Sequence, residues 1–441
     1  MSNQKLSLAI ALAIGGVASA QSAFAAGPTA LQCAAATAKL YVAGSSAAQP
    51  SFATALAADL FDTNGETTIS APAVTGSANG NFKAYCGFAK AGNGAGVTTG
   101  AVTLVHYRGE GGSVVGALPI ANGKTVKFLD LTNTSCQVTN PSVVGLSANV
   151  GTTDGWTGCV ASHAVEMGVT DVEPTQFTGT NYPTAYSTAV FGPTVTNFGS
   201  LQTTQLFQQV FGLFVNTSGI NGGAVGQAID LSPASVANIL TGNYGDWSAV
   251  PTAAGGAVSN VSKAITVVNR EAGSGTRTGA TIFFLNQCGT NPVALADPGP
   301  DGYATGDVLA TAAATPGAIT YASIDNNGKQ ANLTMASING VTPSLLAAAS
   351  GNYGWWYEAT AVKGTITSPG GSGIYNWLVG GELANVATAA HALDILAIPN
   401  LGTNVGTVPV TSTASTVGGV TIYINPFTRS GNSCNVPAET N

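Results

Sequence analysis

Residues 264–285 read AITVVNREAGSGTRTGATIFFL, and the fold of the chain turns on them. Ala264 to Val268 is a short apolar run with β-branched residues, the pattern of a buried strand. Asn269 and Arg270 end it. Glu271-Ala272-Gly273-Ser274-Gly275-Thr276 is a glycine-broken turn, and Thr278 to Leu285 is apolar enough for a packed helix. A strand, a glycine-rich turn and a helix, in that order, aim bare backbone N–H groups at an anion. Arg270 adds a fixed positive charge, and Ser274 and Thr276 add hydroxyls. The segment reads as one wall of an anion site. The opposite wall must come from elsewhere in the chain.

The same logic recurs upstream. Lys39 to Ala43 is a short strand, Gly44-Ser45-Ser46-Ala47-Ala48-Gln49-Pro50 a turn, and Ser51 to Phe61 a helical run with Phe52, Leu56 and Leu60 on one face. Val102 to Tyr107 is a clear strand. It is followed by Arg108-Gly109-Glu110-Gly111-Gly112-Ser113 and an apolar run to Ile120. Loops after such strands are where ligands sit in open α/β sheets. Val165 to Pro174 is a short piece ending in an acidic turn. It brings Asp171 to the crevice if it ends on the sheet rim; an ordinary exposed turn Asp fits the pattern equally well. His106 reads as a strand residue rather than a catalyst.

Between and after these pieces the pattern is plainer. Residues 64–100 read as loops and short strands decorating a core, 122–161 as a surface insertion, and 181–204 as coil. Leu206 to Val215 is strongly apolar. Ser232 caps a helix that starts at Pro233 and stops at Thr241-Gly242. Ala310 to Tyr321 is helix, turn and strand. Tyr353, Trp355, Trp356 and Tyr357 read as packed core. Two helical stretches near 373–378 and 382–396 and a strand at 420–424 close the chain.

Composition sets the setting. A chain of 441 residues with 45% apolar residues allows two or three domains. Charged residues are only 7%, where about 25% is usual. Thirteen basic residues against twenty acidic ones leave a net charge of -7. No Lys/Arg-rich tract exists, which argues against nucleic acid and against a polybasic membrane patch. Met1 to about residue 25 has one Lys, an apolar core and Ala23-Phe24-Ala25, the pattern of a signal peptide. Export to the periplasm or outside is therefore expected, without a lipid anchor, since Cys33 lies beyond the expected cuts. Six cysteines in an exported chain favour disulfides. Several connectivities are open; sequence order suggests Cys33 with Cys86, Cys136 with Cys159, and Cys288 with Cys434. Only three His and no C-x-x-C are present, so neither a metal site nor a cofactor is expected.

Six stretches together resemble the phosphate-binding, PstS-like branch of the periplasmic substrate-binding proteins. They are YVAGSSAAQPSF from Tyr41, HYRGEGGS from His106, GVTDVEPT from Gly168, LSPASVANILTGNYGDW from Leu231, VVNREAGSGTRTGATIFFL from Val267 and PGAITYASI from Pro316. The resemblance implies a type II periplasmic binding fold, α/β in class, with two lobes closing on one tetrahedral oxyanion. Lobe 1 would hold residues 26–206 and 320–441, and lobe 2 residues 207–319. It implies that Arg270 pairs with the anion and that Ser274, Gly275 and Thr276 donate to it. Asp171 would accept a hydrogen bond from a protonated oxyanion. Ser45, Ser46 and Ala48 of the first loop, Gly109 and Glu110 of the second, and Glu271 would line the rest. Family members commonly carry an Asp where this chain has Ala272, and a hydroxyl before the Pro where it has Ala48 and Gln49.

The expected function is an exported receptor that captures inorganic phosphate or a related oxyanion for ABC-type uptake, with ABC-transporter membrane subunits as partners. A carboxylate that can only accept rejects a fully deprotonated anion and tolerates one that keeps a proton. The alternative is a secreted surface, matrix or filament protein that reuses the fold and self-associates, suggested by the low charge and the disulfide-bearing loops. An enzyme is not expected, because His106, His163 and His391 stand in no triad-like context.

Overall fold

Three parallel strands end on one rim, and that rim organises the structure. The computed structural model describes residues 27–70, 82–132, 160–183, 198–223, 226–288, 295, 302, 304–382, 395–396, 414–417, 420–423 and 425–439. The three strands are β1 (Ala38–Gly44), β4 (Val102–Arg108) and β7 (Met167–Thr170), with β1 in the middle. Leu40, Val42, Val105 and Val169 are buried on one face and Ala43, Leu104 and His106 on the other, so both faces of this centre are covered, as parallel sheets require. The loops after the three strands carry Ser45 and Ser46, residues 109–113, and Asp171.

The sheet continues on both sides. On one side β4 pairs antiparallel with β3 (Phe82–Ala89), and β3 with β2 (Phe61–Ser70). Residues 64–70 and 82–89 therefore extend the main sheet instead of decorating it, while 90–100 are loop. The alternation is hard to read there because Gly, Ala and Asn dilute it. The helical run after Pro50 is also shorter than its pattern predicts. The α-helix covers Gln49–Ala55, a π-turn covers Leu56–Leu60, and Phe61 already belongs to β2. Phe52, Leu56 and Leu60 are all buried nonetheless.

On the other side β7 pairs antiparallel with β14 (Trp356–Lys363), and β14 with β8 (Thr203–Val215). The first part of β8, Thr203 to Val210, pairs with β14, while Phe211 to Val215 pairs with β11 (Ala318–Ser323). One strand thus serves two halves of the sheet. Short strand β10 (Thr266–Val267) lies parallel to β11. Strands β12 (Thr334–Met335) and β15 (Ile395–Leu396) also pair with β8, giving eleven strands among the described residues. Ile395 and Leu396 are strand, although the local pattern reads as helix; they are buried against β8, and tertiary packing overrides a weak propensity. Smaller pairs are β5 (Thr125–Leu129) with β6 (Val160–Ala164), and β9 (Asp230–Leu231) with β13 (Ser337–Ile338).

The helices, numbered along the chain, are α1 (Ala30–Ala34), α2 (Gln49–Ala55), α3 (Val114–Asn122), α4 (Pro233–Leu240), α5 (Gly275–Leu285), α6 (Thr305–Ala314), α7 (Leu345–Ala349) and α8 (Gly371–Trp377). Ser232 accepts from the Ser235 N–H and caps α4 as its sequence predicts. The aromatic group at 353–357 is core: Tyr353, Trp355, Trp356 and Tyr357 are buried. Tyr41 is sandwiched between His106 and His163, with ring centroids 4.7 and 4.1 Å away. Burial pushes the His106 imidazole down to about 3, with His163 adding to the effect. This histidine is a neutral core group.

Cys33–Cys86 and Cys288–Cys434 are disulfides. Cys136, Cys159, His391 and the signal-peptide region lie outside the described residues. No helix among the described residues is long and apolar enough to cross a membrane.

Helix α3 lies unusually close to the sheet because two glycines face each other. A Cβ on Gly168 would stand 1.8 Å from the Gly116 carbonyl oxygen, and one on Gly116 would stand 2.7 Å from the Ala43 carbonyl oxygen. The obstacle in each case is backbone, which cannot rotate away. Gly168→Ala is expected to destabilise the protein by about 2–4 kcal/mol through forced separation of α3 and β7. Urea unfolding checks this; an unchanged midpoint would contradict the close approach.

Candidate oxyanion site

The site is assembled where the rim loops meet the start of α5. Helix α5 begins earlier than the apolar run alone indicates, at Gly275, with Ser274 as its N-cap. The Ser274 hydroxyl accepts from the Arg277 N–H at 3.2 Å, which satisfies one of the helix's orphan donors. Gly273 sits at φ +96°, a region open to glycine. Its N–H donates to the Asn181 carbonyl, and its own carbonyl accepts from the Val114 N–H, both at 2.9 Å. The turn is therefore pinned between the start of α3 and residue 181.

Asp171 stands at the centre of one wall and is buried. Its Oδ1 accepts from the Ser45 hydroxyl, and its Oδ2 accepts from Thr276 Oγ1 at 3.0 Å. Its backbone N–H donates to Ser113 Oγ at 3.1 Å. A Cβ on Gly275 would meet Ser113 Oγ at 2.4 Å and Asp171 Cβ at 2.7 Å. The helix start can approach the carboxylate loop only because this position has no side chain. Burial pushes the Asp171 carboxyl up. The hydrogen bonds from Ser45 and Thr276, the nearby Arg270 charge and Ser113 all act against that rise.

Arg270 is also buried. Its Nε donates to the Gly302 carbonyl and its Nη1 to Thr305 Oγ1, each at 3.2 Å. Its backbone N–H donates to the Tyr321 hydroxyl at 3.4 Å. Thr305 opens α6 and joins this wall to the first loop. Its Oγ1 lies 3.0 Å from Ser46 Oγ, and its N–H donates to the same Ser46 oxygen at 3.2 Å. Ala48 is buried, and its N–H donates to Ser45 Oγ at 3.1 Å. Its role is to set the hydroxyl that reaches Asp171.

The structure thus brings Asp171, Ser45, Ser46, Arg270, Ser274, Gly275 and Thr276 into one polar cluster. In the second loop, the residues that touch the helix turn are Gly112 and Ser113: a Cβ on Gly112 would meet Ser274 Cα at 3.0 Å. Gly109 and Glu110 lie earlier in the loop, and Glu110 is buried. Glu271 is buried too, and its backbone N–H donates to Gly302. Three participants escape the sequence reading. Ser113 had a signal, since it follows the paired glycines Gly111 and Gly112. Thr305 and Tyr321 had none, because each arrives from a distant element.

The arrangement has the chemistry of an anion cradle. A guanidinium presents fixed donors to oxyanion oxygens, and the first N–H groups of α5 favour the same charge. A carboxylate supplies an acceptor and no donor when ionised.

Residues 200–374 match the family model described as a PBP superfamily domain. No curated protein matches the chain. Among solved structures, one from Clostridium perfringens, described as a phosphate ABC transporter substrate-binding protein with bound phosphate, is 14% identical. The likeness covers 79% of this chain and 96% of that one at TM-score 0.45. An ABC-type phosphate transport receptor from Vibrio cholerae is 13% identical over 77% of this chain and 93% of its own, TM-score 0.40. A phosphate binding protein from Stenotrophomonas maltophilia is 16% identical over 88% of each chain, TM-score 0.40. Likenesses this distant carry no argument about the ligand.

The Asp171 shift has a thermodynamic consequence with a definite sign. A carboxyl whose folded value lies above its ordinary 3.8 contributes stability that is complete below 3.8 and lost as pH rises through the folded value. Asp171→Asn removes that dependence. Melting curves from about pH 4 to pH 7 should show wild type losing stability relative to the variant as pH rises. A difference constant with pH would contradict the shift. Residues 200–374 are thus similar to a PBP superfamily domain, and they lie within a mixed α/β sheet.

Proposed function

We propose that this protein is an exported solute-binding protein whose ligand is inorganic phosphate or a closely related protonated oxyanion. The observation that carries the reading is the convergence of buried Asp171 and buried Arg270 on one hydroxyl-rich cluster, with the start of α5 between them. The two-lobed division expected from the motifs belongs to the proposal, with the change of partner along β8 as its hinge. Closure of the halves would bring Thr276 to Asp171 and Thr305 to Ser46. Delivery to ABC-transporter membrane subunits is the corresponding physiological role.

Selectivity follows from the carboxylate. An ionised Asp171 accepts and cannot donate, so it favours an anion that retains a proton. Phosphate retains one at neutral pH and sulfate does not. A second reading, a fold reused as a secreted scaffold, draws on the direct Thr276–Asp171 hydrogen bond, which joins the two walls without an intermediary.

Titration calorimetry on the mature, anion-stripped protein tests the proposal. Phosphate is expected to bind and sulfate to bind far more weakly. Arg270→Ala is expected to weaken phosphate by well over tenfold, since truncating a buried charged partner costs about 2–5 kcal/mol. Failure of folded protein to bind either anion would overturn the receptor reading and leave the scaffold. An unchanged affinity in the variant would remove Arg270 from its role.

A further inference from the structure

The C-terminal segment 425–435 lies across the place where the two halves of the sheet join. Gln208, on β8, donates to the Phe427 carbonyl at 2.8 Å. Glu358, on β14, accepts from the N–H groups of Arg429 at 2.9 Å and Gly431 at 2.7 Å, and from the Thr428 hydroxyl. Arg429 donates to the carbonyls of Gly354 at 3.0 Å and Trp356 at 3.2 Å, one on each side of Trp355. Its guanidinium lies over the rings of Trp356 and Tyr357, 5.0 and 4.9 Å from their centroids. Glu173, two residues beyond Asp171, accepts from the Ser433 N–H at 2.8 Å and from its hydroxyl. The segment is thus bonded to β8, to β14 and to the turn that carries Asp171.

The next residue changes its meaning. Cys434 is disulfide-bonded to Cys288, three residues beyond the end of α5. The other end of α5 carries Ser274, Gly275 and Thr276, the wall opposite Asp171. A covalent bond therefore ties the helix of one wall to a strap bonded beside the carboxylate of the other. The strap is bonded to β8 at Gln208, two residues before Val210, after which that strand changes partner. Cys33–Cys86 has no such geometry. It joins the residues around α1 to β3 within one region of the sheet.

We infer that the 425–435 strap and the Cys288–Cys434 disulfide form a lock that restrains the opening of the crevice between Asp171 and α5. The inference rests on the two-lobed reading above and adds a control on its motion. Rotation of the halves about β8 and β14 must carry α5 away from Glu173, and the strap resists this through the Ser433–Glu173 bonds and the adjacent disulfide. Exchange of any ligand would then be limited by the lock rather than by diffusion into an open cleft.

Amide hydrogen exchange in the absence of any anion tests this, so a chain that captured no phosphate would still report on the lock. In the paired variant Cys288→Ser with Cys434→Ser, residues 112–116 and 273–278 are expected to exchange about tenfold faster or more, with β1 and β4 unchanged. The pair Cys33→Ser with Cys86→Ser is expected to leave the crevice residues at wild-type rates. Unchanged exchange at 112–116 and 273–278 would overturn the lock. So would an equal rise in β1 and β4, which marks general destabilisation, or an equal effect from the control pair. If the first pair does not fold, Arg429→Lys with both disulfides intact should accelerate the same crevice residues; no acceleration there would overturn the proposal.

Discussion

A carboxylate held out of water between two walls is the constraint on which the rest depends. Removing Asp171 from solvent is costly unless its oxygens find donors. Those donors are Ser45 after β1 and Thr276 in the first turn of α5, and the Arg270 charge after β10 acts alongside them. None of these groups stabilises the carboxyl from its own segment alone. The rim loops and the α5 turn must stand in register together.

Close packing of backbone makes that register possible. Gly116 and Gly168 let α3 lie against β7, which sets the N-terminal end of α3 beside Gly273. Gly275 lets α5 approach Asp171 and Ser113. At each position a methyl group would collide with backbone or with a fixed polar group. The glycine content of the chain is therefore more than flexibility: several glycines are contact points between elements. The charged residues are few, yet Asp171, Arg270, Glu358 and Arg429 are all buried and hydrogen-bonded. With so little charge in the chain, these buried groups mark the site and the strap.

Much of this was legible before any coordinates. Ser232-Pro233 announces α4 because capping is a local matter settled by neighbouring residues. The strands before Ser45 and Gly109 are visible as apolar runs, whereas the stretch before Asp171 reads only as a short piece ending in an acidic turn. The aromatics at 353–357 could be assigned to the core from their small, apolar surroundings. The β2–β3 extension was obscured because its strands are rich in small and polar residues, and pairing supplies what propensity does not. Ile395 and Leu396 misled for a related reason: two residues beside a helical pattern become strand because β8 has an edge to offer. Ser113 was readable from its paired glycines, but the loop offers two glycine positions and only packing distinguishes them.

The amino-acid order by itself determined the strand, turn and helix units, the glycine-broken turn before α5, and the side-chain types that Arg270, Ser274 and Thr276 place in it. These depend on contacts within a few residues, where spacing and side-chain type suffice. The tertiary structure alone decided that Asp171 is buried rather than exposed and that Thr305 bridges to Ser46 across 259 residues. It also decided that the C-terminal segment crosses the join between the halves. Those facts depend on which distant surfaces meet, and a local pattern carries no record of its partner.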